Sequence, residues 1–145
     1  MEKANKKIRN ATPKEFNGIK FKSILEVMVY KTLLSVGFEP LYEKNKFVIW
    51  QGLYPSVPFY DKDATTRMLK LNKKKIIDIT YTPDFTFEYN KRLIIIEVKG
   101  FENDVFPVKK KLFRKSLEET HPEALFFEIY TKKQLLQAIE IIKKL

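Results

Sequence analysis

Two acids and an amine stand where folding can bring them to one surface. Asp84 lies in Tyr81-Thr82-Pro83-Asp84-Phe85, and Glu97 and Lys99 close the run Ile94-Ile95-Ile96-Glu97-Val98-Lys99-Gly100. Side chains alternate in direction along a strand, so Glu97 and Lys99 point to one side and Val98 to the other. Carboxylates with no His or Cys nearby form a hard oxygen site, which suits Mg²⁺, with Mn²⁺ substituting, better than Zn²⁺. A cation held there can polarise an oxygen of a bound anion and activate water. The plainer reading of Glu97 and Lys99 is an ion pair at a strand end.

The elements that must position these groups can be read around them. Leu93 to Val98 is apolar except for its last charges, the mark of a strand buried on both faces. Phe85-Thr86-Phe87 alternates, and Asn90 between the two segments is a turn former, so an antiparallel hairpin should carry Asp84 back beside Glu97. Pro83 cannot donate to a ladder, which suits the start of a strand and puts Asp84 where the strand opens.

Glu26 is a third candidate acid. Phe21, Ile24, Leu25, Met28, Val29, Thr32 and Val36 recur at helical steps up to Gly37, predicting a helix over about 19–36 with Glu26 at the margin of its apolar stripe. From there it can reach inward to a metal. Alternatively, Ser23-x-x-Glu26 is a capping pair at the helix start.

Charge narrows the partner. Lys and Arg number 28 against 18 acids, for a net charge of +10, which favours a polyanion, nucleic acid first and an anionic membrane surface second. The excess is clustered at Lys3, Lys6, Lys7, Arg9 and Lys14, at Lys73-Lys74-Lys75, and at Lys109-Lys110-Lys111 with Arg114-Lys115. Pro107 suits the first turn of a helix running to about Glu119, with Val108, Leu112, Phe113, Ser116 and Leu117 facing the core. Its Lys109, Lys110, Arg114 and Lys115 are candidate phosphate contacts. Trp50, Tyr54, Phe59 and Tyr60 either stack on unpaired bases or belong to the core. His121, the only histidine, reads as structural.

The rest of the chain fills out an α/β pattern. Residues 41–50 and 76–81 read as strands, and 61–71 as a short helix or an irregular loop. Residues 124–130 form a strand that should pair in parallel with 93–98, because a strand, helix, strand order implies a right-handed crossover. Thr131-x-x-Gln134 reads as a capping box opening a helix with Leu135, Ile139 and Ile142 inward. A mixed sheet flanked by helices results, preceded by a flexible basic arm over 1–17 with 18–145 as a single domain. The charged N-terminus lacks the apolar core of a signal peptide and no run approaches membrane-spanning length, which predicts a cytoplasmic location. Zero cysteines exclude disulfides and thiolate metal sites.

Phe21-Lys22-Ser23-Ile24-Leu25-Glu26, then Tyr81-Thr82-Pro83-Asp84-Phe85, then Glu97-Val98-Lys99-Gly100 resembles the PD-(D/E)xK nuclease superfamily, nearest to the phage endonuclease I group of Holliday-junction resolvases. The likeness runs in order from about residue 18 to 130, apart from an insertion between Trp50 and Ile76 and the C-terminal helix. It implies a restriction-endonuclease-like fold in a bacterial or phage-infected host, with Glu26, Asp84, Glu97 and Lys99 on the catalytic positions. It also implies branched DNA as substrate and a homodimer that cuts two strands of a junction. In that setting Asp84 and Glu97 would hold Mg²⁺, with Glu26 serving a second ion and the Val98 carbonyl an extra ligand. Lys99 is read as a cation that orients the attacking water or contacts the scissile phosphate. A nicking or end-cleaving nuclease of a mobile element or restriction system fits the same residues. So does a non-catalytic basic nucleic-acid-binding module, except that binding alone has no chemical need for the acids.

Overall fold

The computed structural model describes residues 14–100 and 105–145. Among the described residues three helices and ten strands form an α/β protein that gathers into two compact units. Among the described residues the first unit comprises 14–45, 83–100 and 123–145, and the second 46–82 and 105–122.

The first unit opens with strands β1 (Lys14–Phe16) and β2 (Ile19–Phe21), paired antiparallel through Asn17-Gly18, both at positive φ. That is the two-residue turn whose twist matches paired strands. Lys14, Glu15 and Phe16 are therefore not part of an arm; residues 1–13, with Lys3, Lys6, Lys7 and Arg9, lie outside the described residues. Helix α1 (Ile24–Ser35) begins later than its periodicity predicts. Ser23 is its cap, accepting the Glu26 amide at 3.1 Å, and Phe21 is spent on β2. Gly37, at φ 88°, takes the left-handed geometry that ends the helix.

Strand β3 (Leu41–Tyr42) is followed by Glu43 at φ 46°, which interrupts the single strand expected over 41–50. Its continuation, β4 (Phe47–Trp50), belongs to the second unit. There, β5 (Tyr60–Lys62) and β6 (Leu69–Leu71) form an antiparallel hairpin where a short helix or loop was expected. Strand β7 (Ile79–Tyr81) pairs antiparallel with β4, shorter than the predicted 76–81, although Ile76 bridges Leu53.

Strands β8 (Phe85–Tyr89) and β9 (Arg92–Val98) form the expected hairpin, closed by Asn90 and Lys91 at φ 47° and 63°. Helix α2 (Phe106–Thr120) carries Pro107 in its first turn. Phe113 of α2 packs in the second unit against Phe47 and Tyr81, ring centroids 5.0 and 4.6 Å away. Leu117 is buried too, whereas Val108, expected inward, is 59% exposed. Strand β10 (Leu125–Ile129) pairs in parallel with β9, and α3 (Lys132–Lys143) starts with the Thr131–Gln134 capping box.

The first unit's sheet runs in the order β10-β9-β8-β3, parallel at the first junction and antiparallel at the other two. Phe85, Phe87, Ile94, Ile96 and Val98 line one face, in a single core with Val29 and Leu33 of α1 and Leu135, Ala138, Ile139 and Ile142 of α3. Burial of each such side chain contributes about 1.5–3 kcal/mol, and this clamps β8 and β9 against both helices. Alternation then turns Ile95 and Glu97 to the opposite face.

Candidate metal and acid site

The site sits at the open end of the β8–β9 hairpin. Asp84 directly precedes β8, and the pairing of Phe85 with Ile96 carries it opposite Glu97. Two hydrogen bonds fasten the corner. The Val98 amide donates to Asp84 Oδ2 at 2.7 Å, and the Asp84 amide donates to Glu97 Oε2 at 3.3 Å. Lys99 Nζ lies 2.8 Å from Glu97 Oε1 with both side chains largely buried, the same-side placement that alternation predicts. The Lys99 amide donates to the Ile129 carbonyl at 2.9 Å, so β10 holds its backbone.

Electrostatics mark Asp84 most strongly. Burial, followed by the charge of Glu97 and then that of Glu26, pushes its carboxyl up to about 8; the Val98 amide and Lys99 act in the opposite sense. With both carboxyls ionised the corner would hold more buried negative charge than its one ammonium offsets. A divalent cation would relieve that excess, and Asp84 and Glu97 supply the hard oxygens it requires.

Glu26 is buried but differently engaged. Its Oε2 accepts the Tyr42 hydroxyl at 2.6 Å and the Lys22 amide at 3.0 Å, and its Oε1 accepts the Ser23 hydroxyl at 3.1 Å. Burial, then the bond to Glu26, holds the Tyr42 phenol far above its ordinary range, so Tyr42 remains a donor. Lys22 pairs with Glu43, which raises its ammonium pKa. The Ser23 cap exists, yet Glu26 accepts the amide one residue before the cap, so the predicted capping pair is only half formed. Among the described residues no three acid or imidazole side chains converge as a metal-holding group. Glu26 is nonetheless within electrostatic reach of the corner, since its charge, after burial and the charge of Glu97, raises the Asp84 carboxyl. Tyr42 went unnoticed in the sequence, because an aromatic in a short strand carries no signal of its partner.

The four basic residues proposed for phosphate contact lie on α2 in the second unit. Lys109 Nζ donates to the Thr80 carbonyl at 3.3 Å, and Lys110 Nζ sits 5.3 Å from the Phe106 ring centroid. Arg114 and Lys115 are exposed, Lys115 with a loose 3.9 Å contact to Glu119. His121 caps the helix end, its Nδ1 2.9 Å from the Thr120 hydroxyl.

The fold and site define an α/β protein whose mixed sheet carries a buried Asp–Glu pair and a lysine at the mouth of one hairpin. The chain belongs to the family described as a protein of unknown function (DUF1064), which matches residues 6–133. No curated protein and no solved structure matches it. Among the described residues no helix is long and apolar enough to cross a membrane.

Proposed function

We propose that this chain is a metal-dependent DNA endonuclease of the PD-(D/E)xK type, with a restriction-endonuclease-like fold and selectivity for branched DNA. One observation carries the reading: Asp84 and Glu97 meet in a buried corner with Lys99 on Glu97, three groups drawn from two sequence motifs. An isolated ion pair at a strand end would need no second carboxylate, least of all one whose ionisation the corner opposes. The net charge of +10 suits a polyanionic substrate.

In the reaction, water attacks phosphorus, the bond from phosphorus to one ester oxygen breaks, and that oxygen leaves with a proton. Asp84 and Glu97 would hold Mg²⁺ or Mn²⁺, with the Val98 carbonyl as a further oxygen ligand. When bound, the cation supplies Lewis-acid stabilisation of the charge that grows on the phosphoryl oxygens. The Val98 amide fixes the Asp84 carboxylate in place, and Glu97 fixes the Lys99 ammonium. Lys99 orients the attacking water or contacts the scissile phosphate. Glu26, held by Tyr42, serves as an outer acid that adds negative potential at Asp84 and would hold a second ion. Arg114 and Lys115, with Lys109 and Lys110, contact the DNA backbone.

The test is cleavage of an end-labelled four-way junction and a matched duplex by the purified chain, in Mg²⁺ or EDTA, beside Glu97→Gln. Junction cleavage that requires both the cation and Glu97 is expected. Tight binding without cleavage in Mg²⁺ or Mn²⁺ would overturn the enzyme in favour of a binding module.

A further inference from the structure

Residues 53–77 form an excursion within the second unit that the acid site does not use. Reciprocal hydrogen bonds between Leu53 and Ile76, 3.0 and 2.9 Å, tie its base, and the Asn72 amide donates to the Phe59 carbonyl at 2.8 Å. Between them β5 and β6 pair in register, Tyr60 with Leu71 and Lys62 with Leu69. Directly opposed residues share a face, so Tyr60, Lys62, Leu69 and Leu71 form one surface.

That surface is not a core. Tyr54 is 76% exposed, Phe59 59%, Tyr60 57% and Leu69 78%. Exposed rings on and beside an ordered hairpin are available to a binding partner, Tyr60 on the hairpin itself and Tyr54 and Phe59 in the chain leading into it.

The surrounding charge identifies what binds. Asp63 accepts the Thr65 and Thr66 amides at 2.9 Å and pairs with Lys70, and Asp61 accepts the Asn72 side-chain amide. Asp63 is offset by Lys70, and Asp61 is hydrogen-bonded but keeps its charge, so the lysines still outnumber the acids here. Among the described residues, Lys62, Lys73, Lys74 and Lys75 have no acid partner. A cavity of about 270 Å³ beside β5 and β6 is lined by Lys62, Lys70, Lys73 and Lys74 together with both aspartates. Lys75 Nζ lies 5.7 Å from the Tyr54 ring centroid, so ring and cation occupy the same side. A basic cleft on an excursion that also carries exposed aromatic rings matches a strand whose phosphates lie in the cleft and whose bases stack on the rings. Paired bases in a duplex hide the faces that such rings need.

We infer that this hairpin binds an unpaired nucleic-acid strand, with Tyr54, Phe59 and Tyr60 as stacking platforms and Lys62, Lys73, Lys74 and Lys75 as phosphate contacts. That the strand is DNA rests on the proposed function; the binding itself does not depend on hydrolysis.

Fluorescence anisotropy of labelled oligo(dT) and of a duplex, with the full chain in EDTA, tests this without reference to cleavage. The Tyr54→Ala/Phe59→Ala/Tyr60→Ala variant should bind oligo(dT) at least about tenfold more weakly, with duplex affinity within about twofold of the parent. The Lys62→Ala/Lys73→Ala/Lys74→Ala/Lys75→Ala variant should lower the slope of log affinity against log salt by about 3. Circular dichroism confirms that each variant is folded, and if the aromatic variant fails to fold, the lysine variant decides. Oligo(dT) affinity unaltered in the aromatic variant, or an unaltered salt slope in the lysine variant, overturns the inference. So does a parent dimer that becomes monomeric in the aromatic variant while oligo(dT) binding persists, since the rings would then join two copies of the chain.

Discussion

Replacing Asp84 with Asn should stabilise the protein at neutral pH. Asn keeps an oxygen for the Val98 amide but has no charge to lose. With the folded carboxyl at about 8 and its ordinary value at 3.8, the unfolded chain releases a proton in that interval while the folded chain keeps it. Stability contributed by this group is therefore full below the lower value and falls as pH rises through the window. At pH 7 the loss is about 4 kcal/mol, from about 1.36 kcal/mol per unit over the interval already crossed. Asp84→Asn removes that loss, which corresponds to a melting temperature roughly 10 °C higher for a chain of this size. Scanning calorimetry of both proteins in metal-free buffer from about pH 4 to 9 should give matching midpoints at the acid end and a gap that widens with pH. Mg²⁺ should then raise the midpoint of the parent more than that of the variant, since only the parent offers both carboxylates, Asp84 and Glu97, to the cation. Parallel pH profiles would refute both the buried charge excess and the metal site built on it.

Four further outcomes are expected. Tyr42→Phe leaves Glu26 without its shortest hydrogen bond and should cost about 1–3 kcal/mol in urea unfolding; unchanged stability would show that water replaces the phenol. Gly52→Ala sets a Cβ 2.0 Å from the Ile76 carbonyl oxygen, so backbone must move; a loss of about 2 kcal/mol or more is expected, and a neutral result would mean that the 53–77 base is pliant. Thr131→Ala removes the α3 cap and should cost about 1 kcal/mol by the same measurement. Lys99→Arg should shift the pH–rate profile little if Lys99 acts as a fixed cation, whereas loss of the alkaline limb in a folded variant would make it a base instead.

What could be read from the residues follows from how local each signal is. The β8–β9 hairpin was legible because alternation, a turn-forming Asn90 and a continuous apolar run all agree, and the meeting of Asp84 with Glu97 follows from that register. The parallel β9–β10 pair followed from the crossover, and α3 from its capping box. Elsewhere two local signals competed. Phe21 fits helical spacing, yet Asn17-Gly18 between Phe16 and Ile19 is a hairpin turn signal, and the hairpin prevails because Ser23 caps the helix after it. Glu43 carries no mark of the positive φ that divides 41–50, and Val108 satisfies helical periodicity while remaining exposed. The β5–β6 strands bury almost nothing, so burial patterning could not reveal them. The Tyr42–Glu26 bond joins residues 16 apart through tertiary packing alone, which no spacing rule encodes.

The hydrogen bond from the Lys99 amide to the Ile129 carbonyl bears on the order in which a ribosome delivers the chain. Asp84 and Glu97 emerge together and can meet through a local hairpin as soon as both are outside the exit tunnel. The backbone of Lys99 must wait for β10, which follows the whole of α2. A nascent chain thus carries its acids early and receives the anchor of its lysine late, so the three groups come into register only after most of the polypeptide has been translated.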